Sequence, residues 1–457
     1  MKRIVVLAAS LTLSVVTSYA LPACAVSDEG DRSDEDAASA IPLADGSPGL
    51  DQVDASVDDA GIGPPCDGGA DPACERPKSC ATAHFCEEDA NLDARYSLLC
   101  VRGTSRNDVW ASGAAGTVVH YDGTRWAKVP TNVFDTLRSL WVTGQNEIWL
   151  TGSTTTLLRG QVAPDGGVAF TDLGGAAPGP VIAYPYNAIL GAPNGQQLLI
   201  GLGWGAWDPS RPPPGRPPQP LGQGKSLLLR NKEGAWASVG VNGFVSLSAF
   251  GGTGADIWRV GPSGHAARAI GFWEANGEAP WLAFDTQTSR ELTSVIAFPD
   301  GSVWAVGLQG VVRRFGGGSV PRFDVVAVPT TSDLYGIWGT SSTNLWVVGK
   351  GGTILHYDGN EWTRPSLYMK NQGNHDFYAI WGSGPTDLWA GGGATPSGNT
   401  IEPGVLLHGT GPNPSSITWT KVTTEATIRS IWGTSATDVY AVASVPHRVD
   451  NAAPSYL

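Results

Sequence analysis

One phrase recurs along this chain with variations, and it limits the folds available more than any composition does. It reads IWGTSSTNLWVVGKGGTILHYDGNEW at 337–362 and VRGTSRNDVWASGAAGTVVHYDGTRW at 101–126. Shorter copies, IWGSGPTDLWAGG and IWGTSATDVYAVA, begin at Ile380 and Ile431. A repeat of roughly 40–50 residues that encodes several short strands predicts a β-propeller. The 60 Gly, 33 Pro and 18 Trp among 457 residues, with 16% charged residues, suit an all-β chain rich in turns rather than a helical bundle.

Three columns organise the copies. A second-strand column runs through Trp110, Trp149, Leu199, Trp258, Trp304, Trp346, Trp389 and Tyr440. A first-strand column holds Trp141, Phe250, Trp338, Trp381 and Trp432, with Arg102 in the first copy. Two residues before it stand small residues: Ser139, Ser248, Gly336, Ala379 and Ser430. Cys100 shares that column and is expected to be a buried small side chain rather than a bridge partner. A fourth-strand column comprises Trp126, Phe170, Trp236, Trp281, Phe323, Trp362 and Trp419. The Tyr-Asp-Gly turns at 121–123 and 357–359 are hairpin signals, because type I′ turns need positive φ at both central residues. His120, His356 and His408 occupy equivalent third-strand places, which predicts a structural role. Ser and Asp of the Gly-Thr-Ser-x-x-Asp loops at 103–108 and 433–438 are expected to tighten the turn.

The columns predict an all-β propeller of four-stranded antiparallel blades, eight in number, with seven blades plus an irregular C-terminal piece as the alternative. The eighth copy lacks a fourth-strand aromatic. Phe85 lies 15 residues before Cys100, close to the intervals of 13 from Trp126 to Ser139 and 17 from Trp362 to Ala379. The segment around Phe85 is therefore expected to donate the missing outer strand.

Four domains are expected: a leader at 1–24, an acidic tether at 25–64, a small Cys-rich cap at 65–94, and the propeller at 95–457. Met1-Lys2-Arg3 followed by an apolar run from Ile4 to about Val16 is the layout of a secretory signal. Leu21-Pro22-Ala23-Cys24 resembles a lipoprotein box, in which Cys24 would be lipidated; Ser18-Tyr19-Ala20 offers ordinary cleavage instead. The chain is thus expected to be exported, as an outer-membrane lipoprotein of a bacterial envelope or a secreted protein. Residues 27–64 carry eleven Asp or Glu against one Arg, a net −10 of the chain's −13. Such a stretch reads as a solvated spacer. Cys66, Cys74, Cys80 and Cys86 are disulfide candidates in the cap, with the pairing left open.

The pattern resembles secreted bacterial propellers of the broad class that includes Asp-box, Kelch, tectonin and photosystem-assembly repeats. The likeness covers about 95–457 and is to the architecture. An Asp-box reads D-x-G-x-T-W, whereas Asp122-Gly123-Thr124-Arg125-Trp126 omits one residue, so a sialidase activity is not implied.

Function is expected where repetition breaks. The columns absorb fifteen of the 18 Trp, leaving Trp204, Trp207 and Trp273. Trp273 reads as packed. Trp204 and Trp207 open a Pro-rich insertion containing Arg211. A second insertion, after the sixth blade, contains Tyr368 and His375. Second-to-third and blade-to-blade loops share one face of a propeller, and binding residues favour variable loops on a rigid scaffold. Trp204, Trp207, Arg211, Tyr368 and His375 are therefore the expected ligand-binding residues. No nucleophile elbow, phosphate loop or metal motif is present in the sequence, and no catalytic residue, metal or cofactor is assigned. The expected function is non-catalytic binding or scaffolding, with a glycan or protein ligand. Nucleic acid is not an expected partner, the membrane is contacted only through an N-terminal lipid, and the protein is expected to be a monomer. An extracellular carbohydrate-active enzyme is the alternative.

Overall fold

The computed structural model describes residues 3–8, 86–88 and, between 90 and 445, all but short stretches, the longest being 174–185, 203–227, 239–246, 367–374 and 395–403. The protein is an all-β propeller. Among the described residues, its strands form eight four-stranded sheets, of which seven are antiparallel and follow chain order from one edge to the other. The first sheet comprises Leu98–Ser105, Asp108–Gly113, Val118–Tyr121 and Trp126–Lys128; the sixth comprises Leu334–Ser341, Asn344–Gly349, Thr353–Tyr357 and Trp362–Thr363. The first strands of neighbouring sheets touch one another all the way round, so they are the innermost.

Each sheet is buried on both faces by its neighbours, which is why its inner strands are almost continuously apolar rather than alternating. Leu292–Ala297 and Val303–Gly307 are buried at every residue. The core is accordingly split into slabs shared by adjacent sheets. Trp110 and Val118 of the first sheet pack with Leu140, Ile148 and Leu150 of the second. Tyr440 and Val442 of the last sheet pack with Val101, Val109 and Trp126 of the first, and Tyr440 Oη donates to the Arg106 carbonyl at 2.6 Å. That contact joins the two ends of the repeat array.

The last sheet departs from the expected blade. Thr427–Ser435 and Asp438–Val445 are antiparallel, but Arg3–Ala8 and Cys86–Glu88 complete the sheet in parallel orientation. The expectation of eight antiparallel blades is corrected accordingly, as is the seven-blade alternative, because the C-terminal strands close the ring within a mixed sheet. The cause is topological: a hairpin-connected third strand would run antiparallel to Asp438–Val445, whereas a strand brought from the distant N-terminal region is free of that constraint. Cys86–Glu88, within the segment expected to supply an outer strand, takes the outer, fourth place of this sheet, with Arg3–Ala8 between it and Asp438–Val445.

Cys100 is fully buried, as its column requires. It is nevertheless disulfide-bonded, which corrects the expectation of an unbridged thiol; its partner's side chain lies outside the described residues. Cys24, Cys66, Cys74 and Cys80 also lie outside them, as does the side chain of Cys86.

The three repeated histidines have a common environment. His120, His356 and His408 stack on Trp110, Trp346 and Trp389 with ring centroids 3.9, 4.2 and 4.1 Å apart. Each also bonds, through Nε2, the residue two places before its Trp: Asp108 at 2.8 Å, Asn344 at 2.9 Å and Asp387 at 2.6 Å. In the second and fourth sheets an arginine fills the same place, Arg159 with Glu147 over Trp149 and Arg268 with Asp256 over Trp258. A flat cation or imidazole satisfies both the aromatic face and the carboxylate or amide beside it, which makes this a packing device rather than catalytic apparatus.

Candidate functional site

The first strand of most sheets carries an irregularity at one fixed place. The register shifts between Leu98 and Cys100, Leu137 and Ser139, Leu334 and Gly336, Phe377 and Ala379, and Ile428 and Ser430. In each case one residue is skipped by the pairing: Leu99, Arg138, Tyr335, Tyr378 and Arg429. Such a bulge takes a side chain out of the strand's alternation and re-aims it. All five are half-buried although they sit on the innermost strands. Because each inner strand is flanked by other inner strands, solvent reaches these residues from the axis of the ring. They lie near the starts of their strands, hence toward the face that carries the blade-to-blade and second-to-third loops.

These side chains meet across sheets. Tyr335 stacks on Tyr378 with centroids 5.7 Å apart and planes inclined by 24°. The Arg429 guanidinium lies over the Tyr378 ring, 5.2 Å from its centroid. Arg429 Nε donates to Ser444 Oγ at 3.0 Å, and Arg138 Nε donates to Ser153 Oγ at 2.5 Å. The two arginines are thus held in the same way, each by a serine fifteen residues further along the chain. Burial pushes both guanidinium groups below the usual arginine range; Tyr378 partly offsets this at Arg429, and Asp135 does so at Arg138. Burial also raises the Tyr335 and Tyr378 phenols, and the nearby Asp376 carboxylate raises both further.

The carboxylates beside this cluster are occupied. Asp333 accepts from the Gln309 backbone N–H and Asp376 from that of Gly351, each at 2.9 Å, tying one sheet's start to the preceding sheet's turn. Among the described residues, no group of three or more His, Cys, Asp or Glu is placed to hold a metal ion.

Among the described residues, the same face displays one strongly exposed aromatic. Phe134, in the loop joining the first two sheets, is 92% exposed. Its loop is rigidly seated: Gly116 N–H donates to the Asp135 carbonyl and Thr131 Oγ1 donates to the Gly116 carbonyl, both at 2.7 Å.

Of the residues expected at the site, Trp204, Trp207, Arg211 and Tyr368 lie outside the described residues. His375 corrects the expectation of a loop position. It opens the strand His375–Gly384 and is 3% exposed, its carbonyl accepting from Gly352 N–H at 2.6 Å. The axial cluster is absent from the sequence-based expectation. Its signal is the recurrent triplet of an apolar residue, Arg or Tyr, and a small residue, at 137–139, 334–336, 377–379 and 428–430.

No protein-family model matches this chain, and no curated protein sequence does. Among solved structures it is similar to Sqt1 from Chaetomium thermophilum, with TM-score 0.53 and 13% identity over 76% of this chain and 94% of that one. It is also similar to the RRP9 WD40 repeats, with TM-score 0.47 and 13% identity over 69% and 90% of the two chains. YCF48 bound to a D1 peptide gives TM-score 0.45 and 16% identity over 65% and 90%. At these identities the likeness is one of fold, and propellers serve many functions.

Proposed function

We propose that this protein is a non-catalytic binding or scaffold propeller acting at the cell surface or outside the cell, and that it engages a segment of a protein partner at the loop-rich axial face. The observation that carries this reading is the half-buried Tyr335–Tyr378–Arg429 stack on three neighbouring inner strands. Tyr and Arg dominate the energetics of protein recognition because they supply large contact area and directed donors with little loss of freedom. Pre-stacking lowers the ordering cost further. The engagement of Asp333 and Asp376 with backbone amides favours binding over a hydrolytic role for the same surface. Trp204, Trp207, Arg211 and Tyr368 belong to loops expected on this face and are proposed as its outer contacts.

A glycan is the second reading. It is favoured by Trp338, Trp381 and Trp432, which remain partly exposed on the same three inner strands and offer ring surface for sugar stacking. The address rests on the leader-like N-terminus. Removal of that leader on export would take Arg3–Ala8 out of the last sheet.

The test is to screen the full-length protein against a peptide array and a glycan array, and then to repeat the screen with Tyr335→Ala and Tyr378→Ala. Saturable binding that both substitutions weaken supports the reading. Binding that neither substitution changes places the ligand elsewhere and sinks it.

A further inference from the structure

The two arginines of the bulge positions share a feature that packing alone does not require. Arg138 and Arg429 belong to inner strands separated by a single strand, Leu98–Ser105, whose own bulge residue is the shorter, uncharged Leu99. Each is fixed through Nε to a serine, Ser153 or Ser444. Neither arginine has a hydrogen bond from its Nη groups to a described residue, and those atoms are not among the fully buried, unsatisfied ones. They therefore reach solvent at the axial end of the ring. A guanidinium held by Nε presents its two Nη donors as a rigid fork, the geometry that matches an oxyanion in bidentate fashion. Asp135 is the carboxylate nearest in effect to Arg138, and Arg429 has an aromatic ring rather than a carboxylate against its face. Taking two cations partly out of water is costly unless an anion joins them.

We infer that Arg138 and Arg429 form a paired anion site that receives carboxylate groups of the polypeptide ligand, while Tyr335 and Tyr378 take up its adjacent apolar or aromatic side chains. This rests on the reading of the axial cluster as the binding surface. It commits the ligand to an acidic segment carrying aromatic residues. Phe134, displayed by the loop that leads into the strand of Arg138, extends the apolar part of the same surface.

The full-length protein is titrated by calorimetry with a random copolymer of glutamate and tyrosine, and in parallel with one of lysine and tyrosine. The glutamate copolymer binds saturably and the lysine copolymer does not. Replacing both arginines, Arg138→Gln with Arg429→Gln, weakens binding by about tenfold or more, as expected for loss of charge-assisted bidentate contacts. Arg138→Lys with Arg429→Lys gives an intermediate loss, because charge is kept and the fork is not. Ser153→Ala with Ser444→Ala, which leaves both arginines in place but unfixed, also weakens binding and guards against misfolding of the arginine variants. Equal binding of both copolymers overturns the anion inference, and so does undiminished glutamate-copolymer binding by the glutamine variant. If the lysine copolymer binds and Tyr378→Ala abolishes it, the surface stands and its anion preference falls. If neither copolymer binds, or binding is indifferent to both tyrosines and both arginines, surface and anion site fall together.

Discussion

The Trp338 ring lies so close to Gly382 of the next sheet that a Cβ there would stand 2.6 Å from its Cη2 atom. The same relationship recurs one sheet on, where a Cβ at Gly433 would meet Trp381 at 2.8 Å, and again where one at Gly103 would meet Trp432 at 2.8 Å. The Trp-Gly dipeptides of the repeat are therefore coupled between blades. Each Trp occupies the space that the glycine of the following blade leaves open. Val142 breaks the pattern, and the preceding sheet offers Arg102 instead of Trp, its guanidinium lying over Trp141 at 4.4 Å.

This coupling predicts the cost of a single methyl group. Gly382→Ala should destabilise the fold by about 1–3 kcal/mol, the usual penalty of overpacking a filled site. The Asp387 carbonyl, 2.8 Å from the same Cβ position, leaves the backbone little room to yield. Gly384→Ala is the control, since nothing lies within 4 Å of its Cβ position. Urea unfolding of the two variants should separate them clearly, with Gly384→Ala close to wild type.

Acid should loosen the first blade through Asp108. Burial alone would raise this carboxyl, but hydrogen bonds from His120, Thr104 and Trp110 outweigh it and hold the group below the usual 3.8. The folded-state value is thus lower than the unfolded one. The stabilisation is complete above 3.8 and is lost as pH falls through the lowered folded value. Asp108→Asn should cost about 1.5–3 kcal/mol at neutral pH, the range for hydrogen bonds to a charged group. The difference from wild type should shrink towards zero in strong acid. A constant difference from neutral pH into strong acid would show that the charge of Asp108 contributes nothing.

The packing of the repeat was legible in the sequence because it follows the period of a strand. Trp110, Trp258, Trp304, Trp346 and Trp389, all from the second-strand column, are buried, and the three histidines fall on their aromatic partners. The axial cluster was not legible by the same logic. Tyr335, Tyr378 and Arg429 sit at bulges, where one extra residue breaks the two-residue alternation, so their side chains cannot be assigned to a face by counting. His375 shows the opposite error: a polar residue beside an insertion reads as loop, yet its strand begins earlier than those of the other repeats. Of the parallel strands of the last sheet, Cys86–Glu88 was signalled by the spacing of Phe85 from Cys100, whereas Arg3–Ala8 comes from residues that carry no repeat signature.

Titration of His356 should report on its contact with Asn344 in the sixth blade. Burial pushes the His356 imidazole below the usual 6.5, against a smaller upward pull from Asp358. Its partner is the neutral Asn344 rather than an aspartate. Because the folded value lies below the unfolded one, the contribution to stability is complete above 6.5 and falls as pH drops below it. In NMR titrations the His356 ring protons should shift at a pH below 6.5, and Asn344→Asp should move that transition upward by supplying a carboxylate. An unchanged transition in Asn344→Asp would mean that the Asn344 contact is not maintained in solution.

Phe134 should separate binding from stability. At 92% exposure its ring contributes almost nothing to the core, so Phe134→Ala should alter stability by no more than about 0.5 kcal/mol. Its loop is nevertheless pinned on both sides, by Gly116 to Asp135 and by Thr131 to Gly116, so the ring is presented at a fixed place without an ordering cost on binding. If the axial face is the working surface, the same substitution should weaken the glutamate–tyrosine copolymer by about tenfold, as removal of an aromatic anchor does. The corresponding change on the outer strand of the fifth sheet, Val325→Ala, also removes an exposed apolar side chain, 59% accessible, but from the rim of the ring. Equal effects of the two substitutions on binding would mean that exposure alone, and not the axial face, determines where the ligand sits.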